Sequence, residues 1–218
     1  MTFSLIGRCA RTGQFGVAVT TSSIAVGARC SHAAAGVGAV LTQHRTDPRL
    51  GPRGLELLRS GCSAQETLDA LVASTPLARW RQLAVMDAAG RTAAYSGARN
   101  KPEVGEGQGP DVVAIGNILA NSRVPAAMAR GFAADPGAPL AERLLHALDE
   151  GLAAGGENGP VRSAHLLIVE KESFPLVDLR VDWADAPIGA LRELWGLYAP
   201  QVQDYVVRAL DPDDPTVA

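Results

Sequence analysis

Strand-like runs in this chain come mostly in pairs, and helical runs come in pairs between them. Residues 2–9 and 14–20 flank Arg11-Thr12-Gly13, where Gly13 suits a turn position with positive φ. Residues 82–87 and 91–97 flank Ala88-Ala89-Gly90 in the same way, and 164–170 with 177–182 form a late pair. Residues 36–43 and 112–115 read as further, single strands. Helical spacing marks 51–60, the run opened by the capping box Ser63-Ala-Gln-Glu66, and then 125–134, 140–154, 187–198 and 201–210. Leu144, Leu145, Leu148 and Leu152 fall on one stripe, and Ile188, Leu191, Leu194 and Trp195 on another. No βαβαβ alternation occurs, which argues against a doubly wound parallel sheet. The pattern predicts an α+β arrangement of two stacked antiparallel sheets covered by helix layers. With no repeat and no linker, residues 1–210 are expected to form one domain, followed by a polar, Pro-rich tail over 211–218.

Hydrophobic residues make up 47% of the chain and charged residues 20%, enough apolar material for one core. A net charge of −3 without a basic stripe, and 5% aromatic residues, argue against nucleic acid as a partner. No apolar run approaches ~18 residues, so no membrane span is expected. Arg8 and Arg11 interrupt the opening residues, and Cys9, Cys30 and Cys62 are odd in number with no CxxC pair. A cytoplasmic protein without a secretory leader is the expectation. His32, His44, His146 and His165 lack ligand spacing, so neither a metal nor another cofactor is expected. The partner expected is a small-molecule substrate, and the chain is expected to act as a homo-oligomer.

Thr2 stands behind Met1 at the head of the first strand. Removal of Met1, which a small second residue permits, would leave an α-amine and a hydroxyl on one residue. An α-amine titrates near pKa ~8, so that residue would be nucleophile and base together. Thr20-Thr21-Ser22-Ser23 ends the second strand and returns beside Thr2 in a hairpin, where Ser22 is a candidate for binding substrate. Gln43 and Arg45 lie in the polar stretch 42–48 after an apolar strand. Gln43 can donate to an oxyanion, and Arg45 can grip a carboxylate with two hydrogen bonds. His44 beside Asp47 reads as a surface residue, not a relay. Asn117, at a strand-to-helix junction, is a second oxyanion donor. Glu157 and Arg162, in the Gly-rich loop after a helix, are candidates for the same cleft. Residues 105–109, Gly-Glu-Gly-Gln-Gly, lack the lysine of a phosphate loop and read as a surface turn.

Several segments together resemble a bacterial family, "domain of unknown function 1028". They are Met-Thr-Phe-Ser-Leu-Ile at 1–6, Gly-Val-Ala-Val at 16–19, Ala-Val-Gly-Ala at 25–28, Ala-Gly-Val-Gly-Ala-Val at 35–40 and Thr42-Gln43. Gly-Pro-Arg-Gly-Leu-Glu-Leu-Leu at 51–58, Gly116-Asn117, Pro-Leu-Ala-Glu-Arg-Leu-Leu at 139–145, Ala-Gly-Gly at 154–156, Ser163-Ala164 and Asp-Leu-Arg-Val-Asp at 178–182 agree as well. The family is similar to N-terminal-nucleophile hydrolases. The resemblance implies a four-layer αββα sandwich and an amidohydrolase acting on a small amide or ureido compound through Thr2. Glu157 stands where that pattern has Asp, and Arg162 where it has Gln. The competing expectation is a non-catalytic small-molecule binder or accessory oligomer on the same scaffold.

Overall fold

The computed structural model describes residues 1–216. Two antiparallel sheets form its centre. The first contains β1 (Thr2–Arg8), β2 (Phe15–Thr21), β7 (Val104–Gly109), β8 (Val112–Asn117), β9 (Ser163–Val169) and β10 (Val177–Val181), in the order β10-β9-β2-β1-β8-β7. The second contains β3 (Ser31–Ala34), β4 (Gly38–His44), β5 (Arg81–Asp87) and β6 (Thr92–Ser96), ordered as in sequence. Helices α1 (Leu50–Arg59) and α2 (Ala64–Ala73) cover the second sheet. Helices α3 (Val124–Ala133), α4 (Leu140–Ala153) and α5 (Pro187–Tyr198) cover the first, and α6 (Val202–Leu210) follows α5. The fold is a four-layer αββα sandwich.

Three apolar layers follow from the alternation of side chains along each strand. Phe3 and Leu5 of β1 point to α3 and α4 and pack with Phe132, Leu144 and Leu148. Ile6, one residue out of phase, points between the sheets and meets Leu41, Met86 and Ile115. Val40, Leu83 and Val85 turn to α1 and α2, where Leu58, Leu68 and Leu71 complete the third layer. Ser63 caps α2 as its sequence predicts: its hydroxyl accepts from Glu66 N at 3.3 Å, and the Glu66 carboxylate accepts from Ser63 N at 2.8 Å.

Four expectations are corrected. Residues 105–109 are not a turn but edge strand β7, paired with β8. Glycine hides the strand there, yet α3 demands it: a Cβ on Gly105 or Gly107 would overlap the main-chain carbonyl of Ser122 or Pro125. The run at 36–43 does not stand alone; β3 precedes it as a hairpin partner. Ser-His-Ala-Ala at 31–34 is short and carries no β-branched or large aromatic residue to announce it. Leu194 does not face inward. Ile188 and Leu191 fill the face of α5, with Trp195 half-buried against it, while Leu194 lies beside that stripe and is 36% exposed. Leu152 is likewise exposed at the end of α4. Residues 211–216 form turns, and 217–218 of the expected tail lie outside the described residues. Among the described residues no helix is long and apolar enough to cross a membrane.

Gly107 yields a direct test. We predict that Gly107→Ala forces β7 away from α3 and lowers unfolding free energy by about 1–3 kcal/mol in urea denaturation. Unchanged stability would show that this approach is not tight.

Candidate functional site

The first residues of the chain lie in the middle of a sheet. β1 sits between β2 and β8, with Thr2 opposite Asn117 and Phe3 opposite Thr20. Thr2 has the phase of Ser4 and Ile6, so its side chain points between the sheets. It is 6% exposed. Its hydroxyl lies 3.3 Å from Thr21 Oγ1, and both hydroxyls donate to the Met1 carbonyl. Met1, Thr2 and Thr21 line one cleft of about 360 Å³, together with Ser23, Arg29, Cys30, His44, Arg45, Thr46 and Arg81.

Beneath the cleft a buried polar network joins the two sheets. Ser4 Oγ donates to Gln43 Oε1 at 2.7 Å. Gln43 Nε2 and Asn117 Nδ2 both donate to Gln82 Oε1, at 2.7 and 2.9 Å. Gln82 Nε2 donates in turn to Ser96 Oγ and to the Gly116 carbonyl, each at 2.9 Å. Gln43, Gln82 and Asn117 are fully buried, and Asn117 Oδ1 has no partner. Gln82 was not singled out by sequence. Its only signal was a polar residue at the head of an otherwise apolar strand, and its facing of Gln43 becomes visible only in the β4–β5 register.

Glu157 enters from the loop after α4, where Gly155 and Gly156 take positive φ and end the helix. That loop is pinned to the segment after β8: Ala120 N donates to the Gly156 carbonyl and Asn158 N to the Ile118 carbonyl, each at 3.0 Å. Glu157 is 5% exposed; its Oε2 accepts from Ser22 N at 3.1 Å, while Oε1 has no partner. Burial pushes its carboxyl up from about 4.5 to about 7, against the nearby α-ammonium of Met1 and the hydrogen bond from Ser22. Burial pushes the Met1 α-amine down, against the attraction of Glu157.

The sequence candidates Thr2, Gln43, Asn117, Glu157, Ser22 and Arg45 therefore converge on one end of the interface between the sheets. Ser22 does so through its main-chain N–H. The Arg162 side chain is set apart: its guanidinium pairs with Asp185 and lies 5.7 Å over Trp183. Its main-chain N–H still donates to the Thr21 carbonyl at 2.7 Å. His44 Nδ1 lies 2.9 Å from the Trp80 carbonyl, its ring stacks on Trp80, and burial lowers its pKa. Asp47 does not serve it, because its carboxylate is held by Arg49 at 2.8 Å and by Arg81 at 3.7 Å. Among the described residues no three His, Cys, Asp or Glu side chains converge in a geometry that could hold a metal ion. Another hollow, of about 270 Å³ between the β9–β10 turn and α6, is lined by Phe174, Leu176 and Val206 among others; it contains no hydroxyl nucleophile and no buried acid.

Fold and site together define a four-layer sandwich whose first residues open into the cleft between its sheets. The chain belongs to the family of unknown function DUF1028, whose model matches residues 2–191. The crystal structure of protein SPO2555 from Silicibacter pomeroyi, assigned to that family, matches with a TM-score of 0.85 and 30% identity, over 91% of this chain and 89% of that one. Anbu, the ancestral β-subunit from Yersinia bercovieri, matches with a TM-score of 0.41 and 12% identity, over 92% of this chain and 96% of that one. At that level of likeness nothing is carried over from it. No curated protein matches the chain.

Two measurements test the site's physical chemistry. We predict that Gln82→Leu costs about 2–5 kcal/mol of unfolding free energy, since the Gln43 and Asn117 amides would lose their shared acceptor inside the protein. A loss below about 1 kcal/mol would mean that water or repacking satisfies them. The second concerns Glu157. A carboxyl with a raised pKa binds its proton more tightly in the folded state. The stability it contributes is full below about pH 4.5 and is lost as pH rises to about 7. Relative to Glu157→Gln, the wild-type protein should therefore lose about 1–3 kcal/mol between pH 4.5 and 7.5. Parallel pH profiles for the two proteins would contradict a buried, neutral carboxyl.

Proposed function

We propose that this protein is an N-terminal-nucleophile amidohydrolase acting on a small amide or ureido compound, with Thr2 as the nucleophile once Met1 is removed. The observation that carries this reading is the Thr2 hydroxyl, held 3.3 Å from Thr21 Oγ1 on the wall of a polar cleft near a buried acid that titrates at about 7. Thr2 Oγ attacks the substrate carbonyl carbon, and the freed α-amine takes the hydroxyl proton. Asn117, opposite Thr2 across the ladder, is the candidate oxyanion donor. Gln43, engaged by Ser4 and Gln82, acts as a positioning residue. The C–N bond breaks, the leaving nitrogen takes the proton from the amine, and water hydrolyses the acyl ester on Thr2. Glu157, half ionised near neutrality, supports the ammonium as it forms.

One observation favours a second reading. While Met1 is present, the Thr2 hydroxyl donates to the Met1 carbonyl and the terminal amine belongs to another residue. A chain that keeps Met1 would use the same cleft to bind a small molecule without hydrolysing it. Intact mass separates the two, since loss of a methionine residue is about 131 Da and places Thr2 at the terminus.

Against a panel of small amides and ureido acids, we predict that Thr2→Ala lowers turnover by at least about 10³-fold and leaves the unfolding midpoint nearly unchanged. Thr2→Ser should keep part of the activity. A form whose Met1 cannot be removed should be as inactive as Thr2→Ala. Full turnover by that form would exclude the amine as base.

A further inference from the structure

The cleft is cationic although the protein as a whole carries a net charge of −3. Its lining contains Arg29, Arg45 and Arg81 and no Asp or Glu. Arg81 is compensated: its guanidinium reaches Asp47 at 3.7 Å and donates to the Arg45 carbonyl. Arg29 and Arg45 are not; among the described residues neither has a carboxylate within ion-pairing distance. Arg29 is nevertheless positioned. Arg29 Nη1 donates to the carbonyls of Ile24 at 2.6 Å and Ala25 at 2.8 Å, which anchors one corner of the guanidinium and leaves Nη2 and Nε without a protein partner. Arg45 is exposed and lies over Trp80, 5.8 Å from the ring centroid, with no hydrogen bond from its side chain among the described residues. Of the buried acids nearby, Asp47 is held by Arg49 and Arg81, and Glu157 accepts from the Ser22 N–H; neither pairs with Arg29 or Arg45.

Two guanidiniums on the wall of one cleft, neither paired with a carboxylate, match the charge of a carboxylate and can offer it N–H donors. We propose that the ligand of this cleft is an amide or ureido compound that also bears a carboxylate, an N-acyl or N-carbamoyl amino acid, with Arg29 and Arg45 holding that carboxylate while the amide lies at Thr2. The amide half rests on the amidohydrolase reading; the carboxylate half rests on the arginines alone. Arg162, occupied by Asp185, takes no part.

The test uses Thr2→Ala protein, so that binding is read without turnover, and titrates it calorimetrically with N-carbamoylglycine and with its neutral analogue N-carbamoylglycinamide. The carboxylate is expected to bind at least about tenfold tighter than the amide. Adding Arg29→Gln or Arg45→Gln should each weaken N-carbamoylglycine by about tenfold or more and leave the neutral analogue unchanged. Arg45→Lys should fall between, keeping charge without the fork, and Arg162→Gln should match the parent. Circular dichroism confirms that each variant is folded. Equal affinity for the two compounds, no binding of either, or arginine variants that bind like the parent would each overturn the proposal. In the wild-type protein the two readings separate. Carboxylate selectivity without hydrolysis leaves the anion site standing and removes the hydrolase. Hydrolysis of neutral amides alone does the reverse.

Discussion

The hydrogen-bonded ladder that holds β1 between β2 and β8 is the constraint on which the rest depends. Terminal residues of a chain ordinarily fray, because one side of their backbone has nothing to pair with. Here the ladder begins at Thr2, which lies opposite Asn117, while Phe3 pairs with Thr20 on the other side. Burial on both faces of the sheet then fixes the register, since a slip of one residue would send Phe3 and Leu5 between the sheets and Ser4 into the helix layer. The same register carries the Thr2 side chain to the end of the space between the sheets, and so creates the cleft.

That space is apolar along most of its length and polar at one end. Ile6, Leu41, Met86 and Ile115 fill the apolar part. At the other end Ser4, Gln43, Gln82 and Asn117 replace hydrocarbon with a chain of hydrogen bonds. Such a network is tolerable inside a protein because its donors reach acceptors with good geometry; its uncompensated atom is Asn117 Oδ1. Directional bonds fix the two sheets relative to each other at the end where Thr2 sits, something apolar contact alone does less specifically. Electrostatics there run against bulk preference: burial raises the pKa of a carboxyl and lowers that of an amine, and among the described residues Arg29 and Arg45 have no carboxylate partner. Perturbed groups gathered in one cleft are what make this region the candidate site.

Much of this organisation was legible in the sequence. Period-two runs, the Gly13 and Gly90 turns, the Ser63–Glu66 capping box and the absence of βαβ alternation determined two antiparallel sheets with helices outside, because each of these is a local property of the backbone and its neighbours. β7 and β3 escaped notice because the first is written in glycine to admit α3 and the second in small residues, and neither pattern differs locally from a loop. Thr2, Thr21, Gln43, Asn117 and Glu157 could be named as polar residues at element ends, but a list of such residues is all that a sequence supplies. Which of them meet was decided by tertiary structure alone: Gln82 joined them through the β4–β5 register, Arg29 and Arg81 through the walls of the cleft, and the Arg162 side chain left them for Asp185. The reason is physical. Secondary structure answers to periodicity over a few residues, whereas a site is made by contacts between segments a hundred residues apart, set by how two sheets stack and at which residue each ladder begins.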